Sequence, residues 1–570
     1  MFSKLSTFRN KAIRSKKEKH KFDEDHHISK ASKSYFPTLS TLKGKNDSEV
    51  PLSPLRFLHS NVSESHLTSP VSFGRFSSYE YDNESVTASS IISEEIGVST
   101  YEFRSYEDAE EEFLQDHEGY FLHLAVDNVR KDQYPKLELQ RLVYLDYATC
   151  PLYSQFQVEQ HVKIVLEGSD PYLGLVSATS NSYSEKDTYV DITSKLLLNL
   201  FNTNQDDYTT IFTPGLASCY TLFTEMHQFQ KGSILLVSPD SHESCKHVMH
   251  TAVSSGVKTG LVPIRKKDLC IHGSAMHELL LKRGWGSHGC GVLIYPAQSY
   301  FSGICHSLNW IPGAQQNGWK VLLDVTRCLP TVSVDLSLYQ PEFVAGSLHH
   351  ALGYPSDVGY LLVRRNSHSI CTQKGSIQLK MAEVPDHGTS IHVVGESLSL
   401  HTFAALSFGL KHLQTIGMAA IRMRVDSLFA WLIQTLKSFK HKVAEKPLLQ
   451  IYGSLDLKHR GSILAFDVLD STGNVFPPGL IRRLAEKNNI FLGVGCLGNP
   501  DLYRLLHRKS EKQLGEDASM CRSSVVRASL GAVSTFQDVY RLAQFLFRFS
   551  DEEYTTTEAV DYVEEQGQSC

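Results

Sequence analysis

The chain has 570 residues, 41% hydrophobic and 21% charged, enough for two or three ordinary globular domains around a large core. A net charge of −6 leaves no electrostatic footprint for nucleic acid, and no apolar run is long enough to span a membrane. The 11 cysteines are scattered without a CxxC pair and no secretory leader opens the chain, which points to a reducing compartment and hence the cytoplasm.

Residues 1–100 read as a disordered Ser-rich tail, in which Pro37, Pro51, Pro54 and Pro70 interrupt any periodicity. At its start Phe2, Leu5, Phe8, Ala12 and Ile13 share one helical face, with Lys4, Lys11, Arg14 and Lys17 mostly elsewhere. Such a segment, residues 1–17, suits weak contact with an anionic membrane or service as an organellar presequence. Glu18 and Asp23-Glu24-Asp25 count against the presequence. Ser53-Pro54 and Ser69-Pro70 have the form of proline-directed phosphorylation sites, with an unmodified linker as the plain alternative.

From Tyr101 the pattern tightens. Glu107 to Phe113 reads as an acidic helix and Tyr144 to Tyr147 as strand-like. Strands are expected at Tyr208–Phe212, Ser233–Val237, Gly291–Tyr295, Val321–Leu323 and Tyr360–Val363. Helical patterns alternate with them, which is the signature of an α/β fold with a mostly parallel sheet covered on both faces. Leu398 to Phe439 is a long amphipathic stretch with Gly409 and Gly417 as weak points. Ile463–Val468, Ile490–Leu492 and a last helix over Thr535–Phe549 form a smaller α+β domain. The expected divisions are a tail at 1–100, a large domain with its lead-in at 101–395, a small domain with its connecting helix at 396–549, and an acidic tail at 550–570.

In an open α/β sheet ligands sit beyond the carboxyl ends of the strands, and four polar elements fall there. Thr213-Pro214-Gly215 opens a helix and makes a phosphate seat. His242 follows the Val237 strand, Gln298 the Gly291 strand, and Asp324 ends the Val321 strand. Each alone is a weak signal, because a Gly turn before a helix or an Asp after a strand usually just caps an element.

Their order, with Tyr144-Leu145-Asp146-Tyr147, Asp240 to Ser244, Tyr295 to Gly303, Gly353-Tyr354-Pro355, Arg527 to Gly531 and Thr535 to Val539, resembles one family. It is the class V aminotransferase and cysteine desulfurase group of fold-type I pyridoxal phosphate (PLP) enzymes. Within it, the N-terminal domain of molybdenum cofactor sulfurase and its plant sulfurase-like relatives is most similar. The resemblance covers about Tyr144 to Phe549. It implies a seven-stranded-type large-domain sheet, a homodimer and a small amino-acid-like ligand. By position it implies that His242 stacks on the coenzyme ring, that Asp324 pairs with the ring nitrogen, that Gln298 belongs to the coenzyme site, that Ser347 and Gly215 face the phosphate, and that Arg527 grips a carboxylate.

The departures are as consistent as the matches. The family's Schiff-base lysine falls on His350, and an imidazole cannot form that stable aldimine, so PLP, if held, is held without a covalent bond. A family asparagine is Tyr300, a cofactor-oxygen contact is Arg327, and a phosphate-cup threonine is Ala217, with Ser218 as the substitute. The second cysteine of the sulfurase Gly-Cys-x-Cys-Asn-Pro loop, the persulfide carrier, is Gly498; Cys496 remains. Losing both tether and sulfur acceptor removes the expectation of ordinary desulfurase activity and leaves a scaffold or regulatory role.

Other readings stay open. His350 beside His349 suits a general base in a PLP-dependent lyase or transferase, and Lys374 could fold inward as a replacement amine. A residual cysteine desulfurase or sulfurase activity is a further alternative. The basic tail could be the working part, with the folded body as ballast. His242, Cys245, His247 and His250 are dense enough to raise zinc, but His242 already has a role, and no metal is expected. Asp386-His387-Gly388-Thr389 faintly resembles an element that reaches a neighbouring subunit's phosphate in this family.

Overall fold

The computed structural model describes residues 103–167, 188–227, 229–281, 291–365, 391–393, 398, 400–496, 502, 506 and 524–555. Residues 1–100 with the basic segment 1–17, Lys374, the 386–389 element, Gly498 and residues 556–570 lie outside them. The first strand, β1 (Val143–Leu145), is followed by eight strands of one sheet: β2 (Tyr208–Pro214), β3 (Ile234–Val237), β4 (Lys258–Leu261), β5 (Gly291–Pro296), β6 (Trp319–Asp324), β7 (Phe343–Ser347), β8 (Val358–Arg364) and β9 (Ile391–Val393). Their order across the sheet is β4-β3-β5-β6-β7-β8-β2-β9. Seven of them make the expected sheet, with only β8 antiparallel to its neighbours, and the three-residue β9 is added beside β2. Every residue of β5 is buried and nearly every one of β6, as continuous apolar runs in a two-sided parallel sheet require.

The second sheet is formed by β1 with β10 (Leu449–Ile451), β11 (Ile463–Val468), β12 (Ile490–Cys496) and β13 (Ser524–Ser529), in the order β1-β12-β13-β11-β10. β1 runs parallel to β12, so the segment before residue 146 packs with the C-terminal half, although the sequence grouped it with the large domain. Two buried arginines fasten this segment. Arg130 makes a two-pronged bond to Asp538 (2.8 and 3.1 Å) and donates to Glu138 and the Val533 carbonyl. Asp538 also caps the helix Phe536–Phe547 from inside a Thr535 capping box. Arg424 donates to the His123 and Ser534 carbonyls, to Tyr120 and to Asp127. The long amphipathic stretch is two helices, Leu400–Ile416 and Met418–Ser438. They break at Gly417, whose φ of 89° suits glycine alone, whereas Gly409 lies within the first helix, where a side chain would collide with Gln157. No helix among the described residues is long and apolar enough to cross a membrane.

Removing one member of a buried, fully bonded ion pair leaves the other charge stranded. Arg130→Ala should therefore lower unfolding free energy in urea by about 3–5 kcal/mol. A loss no larger than that of an exposed pair, about 1 kcal/mol or less, would contradict the fastening role.

Candidate functional site

Asp324 ends β6, just 1% exposed, and a carboxylate so placed must be satisfied by donors. Its Oδ1 accepts from the Thr326 backbone N–H (2.8 Å), and its Oδ2 accepts two phenol hydroxyls, Tyr220 at 2.5 Å and Tyr300 at 2.8 Å. Tyr220 comes from the helix Gly215–His227, and Tyr300 from the turn after β5. Burial, followed by the Asp324 charge, pushes both phenols well above 10, so both stay protonated donors.

His242, past the end of β3, lies parallel to Tyr220 (centroids 6.2 Å, 14° between planes) and 5.2 Å from the Tyr300 ring. Its Nδ1 accepts from the Ser244 N–H at 3.2 Å, and burial lowers its pKa, which keeps the ring neutral. The Arg327 guanidinium carbon sits 4.9 Å from the centre of the Tyr300 ring, a cation–π geometry. Burial also lowers the Arg327 pKa.

His350 lies on the short helix Leu348–Leu352, whose N-cap is Ser347 with Oγ accepting the His350 N–H at 3.4 Å. The helix ends at Gly353, φ 70°, where a side chain would collide with the Pro151 carbonyl. Arg327 Nη1 donates to His350 Nδ1 at 3.3 Å, so the proton of the neutral ring is assigned to Nε2. Burial first, and the Arg327 charge second, lower the His350 pKa to about 3.

The remaining expected residues are placed as follows. Gly215 (φ 75°) opens its helix with its N–H given to the Asp357 carbonyl at 2.7 Å. Ser218 turns its hydroxyl back to the Pro214 carbonyl. Ser347 pairs with Gly359, and a side chain at Gly359 would lie 2.4 Å from the Gly215 carbonyl oxygen, so the two phosphate-seat strands meet there. Gln298 is 1% exposed, and neither amide atom has a hydrogen-bond partner among the described residues. Arg527 donates to the Tyr300 carbonyl (3.1 Å) and to Thr149 Oγ1 (3.2 Å), and burial together with neighbouring Arg327 lowers its pKa. Among the described residues no group of His, Cys, Asp and Glu is arranged to hold a metal.

The fold thus brings His242, Asp324 and His350 together. Sequence reasoning missed the bond from Tyr300 to Asp324, and it missed Tyr220 altogether. A tyrosine on the buried face of a helix carries no mark that separates it from a core residue.

As placed, these side chains do not fit pyridoxal phosphate. The oxygen of Asp324 that would meet a ring nitrogen already accepts two phenols, no lysine stands at 350, and the Gly215 N–H is engaged.

An aminotransferase class-V family model matches residues 160–542. The chain is 26% identical over 445 residues to molybdenum cofactor sulfurase of Bos taurus, covering 71% of this chain and 50% of that protein. It is 24% identical over 487 residues to molybdenum cofactor sulfurase of Arabidopsis thaliana, covering 74% and 58%. The chain therefore spans about half the length of the curated relatives it matches. Among solved structures it is similar to a cysteine desulfurase from Thermococcus onnurineus NA1 (TM-score 0.58, 16% identity, 74% of this chain and 97% of that one). It is also similar to the cysteine desulfurase CsdA from Escherichia coli (TM-score 0.55, 17% identity, 74% and 98%). These structural likenesses establish a fold-type I architecture.

A histidine held neutral by the fold contributes stability that is full above its ordinary 6.5 and declines as pH falls toward the folded value of about 3, because the unfolded chain takes up a proton the native state refuses. His350→Gln should therefore lose less stability between pH 7 and pH 5 than the parent, by roughly 1–2 kcal/mol in urea denaturation. An identical pH slope in both proteins would contradict the neutral assignment.

Proposed function

The chain belongs to the aminotransferase class-V family, and from that premise we propose that it is a molybdenum cofactor sulfurase-like protein without ordinary desulfurase chemistry, acting as a scaffold or regulatory partner. The observation that carries this reading is the closure of Asp324 by Tyr220 and Tyr300, next to a histidine at the position where the resemblance puts the coenzyme lysine. Gly498, in place of the sulfur-accepting cysteine, supports it independently. Any PLP taken up would be held non-covalently. A homodimer in the cytoplasm is part of the same proposal, and the relatives' own activity is not carried over to a chain that spans half their length.

A second reading makes His350 the base of an active PLP-dependent transferase or lyase. Its Nδ1 lone pair does accept a hydrogen bond, but from Arg327, and a base with a pKa near 3 is poorly matched to neutral pH. The non-catalytic reading is the better supported.

With added PLP, cysteine and a dithiol to reduce the released sulfane sulfur to sulfide, the purified protein should form alanine and sulfide no faster than the same mixture without protein. Enzyme-dependent release at rates of 1 per second or more, ordinary for an enzyme, would overturn the proposal.

A further inference from the structure

We infer that Tyr300 is a built-in occupant of a ring-binding slot, filling with its own phenol the place that a flat heteroaromatic ring carrying a protonated nitrogen would take against Asp324. The inference rests on the non-catalytic reading of this site and says what keeps the site closed. Three features of a ring ligand's seat are met by Tyr300 itself. A polar hydrogen is donated to the Asp324 carboxylate at 2.8 Å, an imidazole lies 5.2 Å from the ring in a tilted contact (52° between planes), and a guanidinium lies 4.9 Å from its centre. The hydroxyl-to-carboxylate bond is of the charge-assisted kind, stronger than one between neutral groups.

The turn that carries Tyr300 is fixed in place. Ser299 N–H bonds the Ile304 carbonyl at 2.8 Å, and Gly461 N–H bonds the Gly303 carbonyl at 2.8 Å. Gly303 has φ 71° and lies so close to β11 that a side chain there would meet the Ile463 carbonyl. Arg460, 1% exposed, donates to the Ser302 carbonyl at 2.7 Å and to the carbonyls of Tyr452, Ser454 and Ile463, and Arg527 holds the Tyr300 carbonyl. Backbone movement is therefore a poor route to opening the slot, and the side chain itself is the closure. At the foot of the same turn, Gln298 is buried with its amide unbonded among the described residues, a cost that a native structure rarely carries without a ligand or water nearby.

The test is calorimetric titration with pyridoxamine phosphate, which has the ring and the phosphate but no aldehyde to modify surface lysines. Tyr300→Asn should bind it at least tenfold more tightly than the parent protein, and adding Asp324→Asn to that variant should reverse the gain. Tyr300→Phe, which keeps the ring and loses the bond to Asp324, should gain less than Tyr300→Asn. Parent protein binding as tightly as Tyr300→Asn would overturn the inference, and so would a folded Tyr300→Asn with no gain. If Tyr300→Asn fails to fold, Tyr300→Ala, which also removes the ring, decides, a gain over the parent supporting the closure and equal affinity overturning it. Tight binding by the parent without turnover of cysteine would end this inference and leave the non-catalytic reading standing, whereas turnover would end that reading.

Discussion

A buried carboxylate at the end of a central strand must be answered by donors, and in this protein the answer comes from within. Asp324 takes one backbone N–H and two phenols, from a helix of the large domain and from the turn after β5. The turn is in turn held by Arg460 and Arg527, both belonging to the C-terminal sheet region. The same carboxylate therefore organises the floor of the site, and the two arginines tie the turn that reaches it to the smaller sheet. Arg327 extends the arrangement to His350, and burial keeps that imidazole neutral.

Seen chemically, the site is a polar framework whose donors and acceptors have been turned on one another. Arg527 spends its guanidinium on a main-chain carbonyl and a threonine, and Ser218 turns back on its own helix. Protonated phenols beside a carboxylate and a neutral histidine beside an arginine make a cluster that neither releases nor accepts a proton readily near neutrality. Stability and shape are what such a cluster supplies, which is what the proposed non-catalytic role asks of it.

Much of the fold was legible because the strands of a sheet covered on both faces are buried on both sides and so are largely apolar. The runs at β2, β3, β5, β6 and β8 stand out between helical stretches for that reason. β4, with its Lys258 and Gly260, lies at the sheet edge and carries no such run. β13 was hidden by Arg527 in its middle, and the partner of β1 depends on a pairing 347 residues away (Val143 with Ile490) that no local pattern encodes. Gly417 and Gly409 look alike in sequence, but one takes the positive φ that ends a helix and the other makes room for Gln157 inside one. At the site, His242 and Asp324 were visible from their positions at strand ends, and His350 only through the family resemblance. The bonds that close Asp324 were not, since they depend on which rotamer of Tyr220 and Tyr300 the packing selects.

The most direct measurement is peptide mass spectrometry of the protein incubated with PLP and reduced with borohydride under native conditions. The account predicts no coenzyme adduct beyond the scattered surface-lysine labelling seen equally in denatured protein. Stoichiometric attachment to a single lysine in the native protein alone would contradict it, because the site would then have kept a covalent tether that His350 does not provide.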